Sequence, residues 1–434
     1  MPSKLDPPLK HAERPRFGTA STVVKLVAIA AAVVLASGAS VAAIAVTSIA
    51  NQVTANSIDI SGGQSQPHVG AFVGGFNVLI VGTDNDATQG DYFGERDATL
   101  NDVNILLHIS ADQKSGVVVS LPRDLIVDHP KCTDPTTGEV FDATYNQALN
   151  TGYERGGLAC ITSTVANLTG LEIPYAGLIS FNGVIEMTNA VGGVPICLNE
   201  PITDTDSGLD LPAGTSVVKG ADALAFLRTR HGVGDGSDLA RISSQQQYLS
   251  SLVRTLKSAN TLTDVTKLYG LAQAAASNIK LSTSLASLDS MVSLALALKD
   301  VDLNNLVFVQ YPGSTGDPDY PGKVVPTTSV AEELFAKIKA DEPFTLDANA
   351  TGPGSSLVDG GTATPTPGAT DEATNPPTDG ATDAATDAAT DSASPTPDAS
   401  GSSTPSPTST APAVIDGVTG QTAAQQTCAN AFGD

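Results

Sequence analysis

Between residues 76 and 311 short apolar runs alternate with stretches of helical period. Phe76–Gly82 is an apolar run closed by glycine, which predicts a buried strand. Val103–Ile109 and Val117–Leu121 predict two more, joined by the turn-like Asp112-Gln113-Lys114-Ser115-Gly116. Gly156–Thr169 places Ala159, Ile161, Val165 and Leu168 near helical spacing. Tyr175–Ile179 is strand-like. Phe181–Val191 reads as a helix stopped by Gly192-Gly193, and Val194–Leu198 as the following strand. Gly220–Arg228 is a short helix of good formers, and Ser243–Ala259 is a long amphipathic one carrying Tyr248, Leu249, Leu252, Val253 and Leu256. Asp264–Ala276 and Ser284–Leu298 predict further helices, and Leu306–Tyr311 a last strand. Strands alternating with helices predict an α/β layered domain.

The two ends break this pattern. Lys4, Lys10, Arg14, Arg16 and Lys25 precede an uncharged Ala- and Val-rich stretch from Leu26 to about Ala50, longer than a bilayer crossing requires. Basic residues on its N-terminal side put residues 1–24 in the cytoplasm, residues 25–50 in the membrane and the rest outside. A cleaved signal peptide, cut among the small residues of 37–43, is the rival reading. It also places the remainder of the chain outside the cytoplasm. Residues 51–75 read as a Ser-, Gly- and Gln-rich linker and 76–346 as the folded domain. Residues 347–434 are rich in Ala, Thr, Asp, Pro, Ser and Gly, with a four-residue repeat through Asp379, Asp383, Asp387 and Asp391. That composition predicts a disordered, solvated tail, with a wall-spanning or glycosylated stalk as the alternative. Apolar content returns over Gln421–Phe432.

The chain has 434 residues and a formal net charge of -24, which argues against nucleic acid as a partner. Eleven of the acidic residues lie in 347–434, where there is no Lys or Arg. Removing that stretch leaves 35 acidic against 22 basic residues, a net -13. The arginines of the folded part therefore carry more weight than the total suggests. Four cysteines in an exported chain favour disulfides, and we expect Cys132 with Cys160 and, as the remaining pair, Cys197 with Cys428. No CxxC pair is present and there are only five histidines, so a zinc site is not expected.

Polar residues gather at the ends of the predicted elements. Gly82-Thr83-Asp84 follows the first strand and Asn101-Asp102 enters the second. Ser120-Leu121-Pro122-Arg123-Asp124 leaves the third. Arg228-Thr229-Arg230-His231 precedes Asp238-Leu239-Ala240-Arg241 and Gln245. Strand-end loops are where α/β domains place ligands. Arginine suits a bidentate grip on phosphate oxygens, and carboxylates from different strands suit a hard cation. Each element has an ordinary alternative: a capping aspartate, a solvated helix end, a surface pair of Arg123 with Asp124. Together they point to phosphoryl transfer.

In this order and spacing these pieces resemble the LytR-CpsA-Psr family of cell-wall glycopolymer ligases. The likeness runs through Val78–Asp84, Asp102, Ser120–Asp124, Asn146 with Ala148, Gly192-Gly193-Val194, Leu224–Arg230, Asp238–Arg241 and Gln245, and covers residues 76–256. It implies a central mixed β-sheet flanked by helices in α-β-α layers. It also implies a transferase that moves a glycopolymer from a polyprenyl-pyrophosphate carrier to peptidoglycan, and a single-pass membrane anchor with an extracytoplasmic catalytic domain. Carried over, Asp84 and Asp102 hold Mg2+ or Mn2+. Arg123, Arg228 and Arg230 clamp the pyrophosphate, and Arg241 and Gln245 complete the site. Asp124 or Asp238 orients an arginine or serves as base to the acceptor hydroxyl. Val253, Leu256, Leu268, Leu294 and Leu298 line a lipid tunnel or simply pack the core.

The chain departs from the family pattern in places. Asn85 and Asp86 follow Asp84 where the family often has arginine, Leu100 stands where an arginine often precedes the second aspartate, and Arg96 is offset. Ser244 replaces the arginine before Gln245, and Arg155 is a candidate substitute near Asn146. Two other functions use the same residues or none of them: hydrolysis of the pyrophosphate by water, and non-catalytic wall binding.

Overall fold

In the computed structural model the described residues are 54–61, 74–84, 99–258, 265–347, 350–358 and 413–433, with isolated positions before 54. Among them no helix is long and apolar enough to cross a membrane, and the predicted span 25–50 lies essentially outside them.

In chain order the strands that frame the site are β1 (Phe76–Thr83), β2 (Asn101–Ile109), β3 (Gly116–Leu121), β4 (Tyr175–Ser180), β5 (Val194–Leu198), β6 (Ile202–Asp204), β7 (Leu209–Leu211), β8 (Gly214–Val218), β9 (Ile279–Leu281), β10 (Leu306–Gln310), β11 (Ser355–Leu357), β12 (Gly420–Thr422) and β13 (Thr427–Ala429). The helices are α1 (Tyr153–Thr169), α2 (Phe181–Val191), α3 (Gly220–Arg228), α4 (Asp238–Ser258), α5 (Val265–Asn278), α6 (Leu288–Asp300) and α7 (Thr328–Lys339). A seven-stranded sheet runs β9-β4-β1-β2-β3-β10-β12, and a four-stranded sheet runs β8-β5-β13-β11. The large sheet is mixed: β1 pairs antiparallel with β2 but parallel with β4, and β3 pairs parallel with β10.

The alternation of side chains along each strand builds two cores. Leu79, Val81, Leu106, Val119 and Val309 face α1 and α7 through Leu158, Ile161, Val165, Leu334 and Phe335. Phe76, Val78, Ile109, Val118 and Phe308 face the other way, toward Ala276 of α5 and Ala297 of α6. Helices thus cover both faces, the layered arrangement expected from the sequence. Val253, Leu294 and Leu298 are half-buried against this second core. The side chain of Leu268 lies outside the described residues.

Helix ends follow local chemistry. Ser180 Oγ caps α2 by accepting from the Gly183 N–H at 3.3 Å, and Gly192 closes it at φ 90°. Helix α4 starts five residues before the predicted Ser243, because Ser237 Oγ accepts from the Ala240 N–H at 3.2 Å. Its buried face is unusually polar. Gln247 Nε2 donates to the Cys197 carbonyl at 2.7 Å, so serines and glutamines there satisfy strand carbonyls as well as filling space.

The reading of 347–434 as one disordered tail is corrected. Residues 350–358 and 413–433 belong to the domain, as β11, β12 and β13, and residues 359–412, which carry the Asp repeat, lie between docked strands and outside the described residues. Composition hid this because the returning strands are short and bury polar groups in pairs. Gln421 Nε2 donates to Ser250 Oγ at 2.8 Å, and Thr427 Oγ1 donates to Gln421 Oε1 at 2.9 Å. Both expected disulfides form, Cys132–Cys160 and Cys197–Cys428.

Candidate active site

Asp102, Arg123, Asp204, Asp206, Ser207, Arg228, Arg230, His231 and Arg241 line one cavity of about 270 Å³. Asp102 comes from β2 and Arg123 from the turn after β3. Arg228 ends α3, Arg230 and His231 follow it, and Arg241 sits on the first turn of α4. The hairpin β6–β7 supplies Asp204, Asp206 and Ser207 to the wall.

Buried carboxylates hold the arginines in place. Arg123 Nη1 donates to Asp102 Oδ1, and its Nε donates to Asp124 Oδ2 at 3.3 Å. Asp238 is 4% exposed. Its Oδ1 lies 2.6 Å from Arg241 Nη2 and 3.6 Å from Arg230 Nη2. Its Oδ2 accepts from the Arg123 backbone N–H at 3.1 Å. Arg241 Nη2 also donates to the Asp102 carbonyl at 2.9 Å. The Arg228 guanidinium lies 4.4 Å over the Phe181 ring, a cation–π contact. Asp124 is further bound by Lys323 Nζ at 2.8 Å.

These pairings separate the arginines electrostatically. Burial works against the charge on Arg123, but Asp102, Asp124 and Asp238 outweigh it and hold its pKa above the usual guanidinium range. For Arg230 burial dominates. Asp238 offsets part of it, while Arg241 and Arg123 add like charge, and its pKa is lowered. Arg230 stays protonated. Burial opposes ionisation of Asp124, but Lys323, Arg123 and Arg230 hold its carboxyl below the usual carboxylate range.

Six of the sequence-predicted residues therefore meet: Asp102, Arg123, Arg228, Arg230 and Arg241 in the cavity wall, and Asp238 directly behind them. Asp124 sits beside them under Lys323. Gln245 does not line the cavity. Its Nε2 donates to the Leu227 carbonyl at 3.0 Å and so fixes the end of the helix that carries Arg228. Asp84, 1% exposed, follows the end of β1, where its Oδ1 accepts from the Leu100 N–H at 2.9 Å. It is not among the described residues lining the cavity. Arg155 lies elsewhere, with Nη1 donating to Thr144 Oγ1 at 2.5 Å. Arg96, Asn85 and Asp86 lie outside the described residues.

The sequence reading missed Asp204, Asp206 and Ser207, and gave His231 no role. Strands of three residues each leave little periodic signal; the Ser207-Gly208 turn between Ile202 and Leu209 was the available one.

The chain is similar to several known proteins. Cell wall biosynthesis protein LcpA of Corynebacterium glutamicum is 28% identical over 300 residues, 63% of this chain and 57% of that protein, so the match spans little more than half of the relative. The polyisoprenyl-teichoic acid–peptidoglycan teichoic acid transferase TagT of Bacillus subtilis is 25% identical, over 54% of this chain and 69% of its own. Among solved structures, the LytR-Csp2A-Psr enzyme from Actinomyces oris covers 65% of this chain and 94% of its own at 22% identity and a TM-score of 0.48. The LytR_cpsA_psr family model matches residues 35–339, well over half of the sequence, and the chain belongs to that family.

Proposed function

We propose that this protein is a phosphotransferase that moves a glycopolymer from a polyprenyl-pyrophosphate carrier to a hydroxyl of peptidoglycan. The observation that carries this is the convergence of four arginines on one cavity, each set by a buried or aromatic partner before any ligand arrives. A pyrophosphate presents oxygens that match such a fork-shaped donor set. Preorganised donors stabilise the charge that builds on the leaving lipid phosphate without reorganising during reaction. The relatives' names, a cell wall biosynthesis protein and a teichoic acid transferase, support the same class of donor and acceptor.

Asp84, just past the end of β1, and Asp102, on the paired strand β2, offer hard carboxylate oxygens of the kind that suit Mg2+ or Mn2+, and we propose them as its ligands. Bound there, the cation would neutralise pyrophosphate charge. Arg123 and Arg230 grip the phosphate oxygens, Arg241 and Arg228 complete the donor set, and Asp238 fixes Arg241 and Arg230 in place. The uncharged stretch 26–50 supports a single-pass anchor with the domain outside the cytoplasm.

The test uses the full-length protein in detergent with magnesium, a synthetic polyprenyl-pyrophosphate saccharide and uncrosslinked peptidoglycan. Mass spectrometry should find saccharide-phosphate on the glycan strand, and Arg123→Ala should abolish it. Release of saccharide phosphate to water without attachment would replace this reading with hydrolysis.

A further inference from the structure

The transfer proposed above needs a group to accept the acceptor hydroxyl's proton, and the two carboxylates first considered for that task are committed elsewhere. Asp238 is bound by Arg241 and by the Arg123 backbone N–H, and Asp124 by Lys323 and Arg123. Asp102 is paired with Arg123.

His231 is placed differently. It lines the same cavity, and its Nδ1 lies 2.8 Å from Asp206 Oδ2. With Nδ1–H donating to the carboxylate, Nε2 carries a lone pair. Buried Asp204 builds this pair. Its Oδ1 accepts from the Asp206 N–H at 3.0 Å and the Ser207 N–H at 3.4 Å, and its Oδ2 accepts from Thr229 Oγ1 at 2.6 Å. One carboxylate thus ties the hairpin turn bearing Asp206 to the segment bearing His231. Gly232 seals the junction: a Cβ there would lie 2.8 Å from Ile202 Cγ2 and 2.8 Å from Thr229 Oγ1. Burial opposes ionisation of Asp204, but the Thr229 hydroxyl and the two N–H groups hold its pKa below the usual range, so Asp204 is an anchor. His231 and Asp206 are exposed at the cavity rim, 69% and 73% by side chain, where a bulky polymer hydroxyl arriving from solvent can reach them.

We infer that His231, oriented by Asp206, is the general base of the transfer. This inference rests on the phosphotransfer reading. The acceptor oxygen forms a new bond to the glycan-bearing phosphorus and its proton passes to His231 Nε2. The bond from that phosphorus to the bridging oxygen breaks, and the electron pair leaves on the lipid phosphate. The charged groups around the imidazole are Asp204 and Asp206 on the hairpin, Arg228 and Arg230 on its own segment, and Asp102, Arg123 and Arg241 across the cavity. The described C-terminal residues packed on this loop, 430–433, carry no charge.

The test compares full-length wild type, His231→Ala, His231→Gln and Asp206→Asn in the transfer assay, with donor binding measured separately by competition with inorganic pyrophosphate. The expected result is a kcat loss of about 100-fold or more in both His231 variants, with donor affinity unchanged. Free imidazole should restore part of the rate to His231→Ala and none to His231→Gln. The Asp206→Asn loss should be smaller. Undiminished kcat in His231→Ala, or a loss that imidazole does not repair, overturns the base while leaving the transferase reading intact. A wild type that neither binds donor nor transfers overturns both.

Discussion

Asp238 and Arg123, 115 residues apart in the chain, are joined by a hydrogen bond from the Arg123 backbone N–H to Asp238 Oδ2 at 3.1 Å. The same carboxylate contacts the side chains of Arg241 and Arg230, so one buried anion fixes arginines from three segments. Asp238→Ala removes the carboxylate that pairs with Arg241 and shares Arg230 with Asp124, leaving Arg241 buried without its counter-charge, which should cost about 3–5 kcal/mol of stability. We expect a lowered Tm by calorimetry together with lost pyrophosphate binding. A Tm matching wild type would show that the arginines find another partner.

Lysine cannot replace the fork at Arg123. Arg123 makes ion pairs with Asp102 through Nη1 and Asp124 through Nε at once, whereas an ammonium is a point charge on a flexible stem. Arg123→Lys should weaken donor binding by about 1.5–3 kcal/mol, the range for a hydrogen bond to a charged group, while the fold is kept. Calorimetric titration with a short polyprenyl pyrophosphate measures it.

Cys197 and Cys428 are partners on the parallel pair β5–β13, and their disulfide closes a sequence separation of 231 residues. The strand beyond Cys428 meets the arginine loop: the Gly234 N–H donates to the Asn430 carbonyl and the Phe432 N–H to the Gly232 carbonyl, each at 3.1 Å. Cys428→Ser should cost about 5.5 kcal/mol in the chain-entropy account. It should also speed amide exchange over residues 230–237 more than over β1 or β2, as followed by hydrogen-exchange mass spectrometry.

His129 is buried, with Nε2 donating to the Ala148 carbonyl at 3.2 Å, and burial lowers its pKa. A group whose folded pKa is lowered contributes stability that is complete above its unfolded value, about 6.5, and is lost as pH falls toward the folded value. Asp124, also lowered, adds the same sign in a lower window, beginning near its unfolded value of about 4. Wild-type Tm should fall between pH 7 and 5 (roughly the histidine window), and His129→Gln should flatten that slope without altering the loss at lower pH. Thermal scans across this range check it.

What the sequence determined by itself is what local pattern encodes. The strands at Phe76, Val117, Tyr175, Val194 and Leu306 and the helices at Phe181 and Gly220 were legible because they are short apolar runs or stretches of helical spacing and good helix formers, bounded by glycines and turn residues. The arginines and carboxylates were legible because their chemistry narrows their use. Tertiary structure alone decided which of them meet. Asp124 and Asp238 became anchors because folding brings each within reach of cations from distant segments, a relation that no spacing states. Asp206 and His231 became a pair because Asp204 fastens a short hairpin to the loop after α3. The C-terminal residues joined the domain because β12 and β13 satisfy their polar groups against α4 and Cys428 reaches Cys197. Hydrogen bonds between partners far apart in the chain leave no periodic trace in the residues that make them.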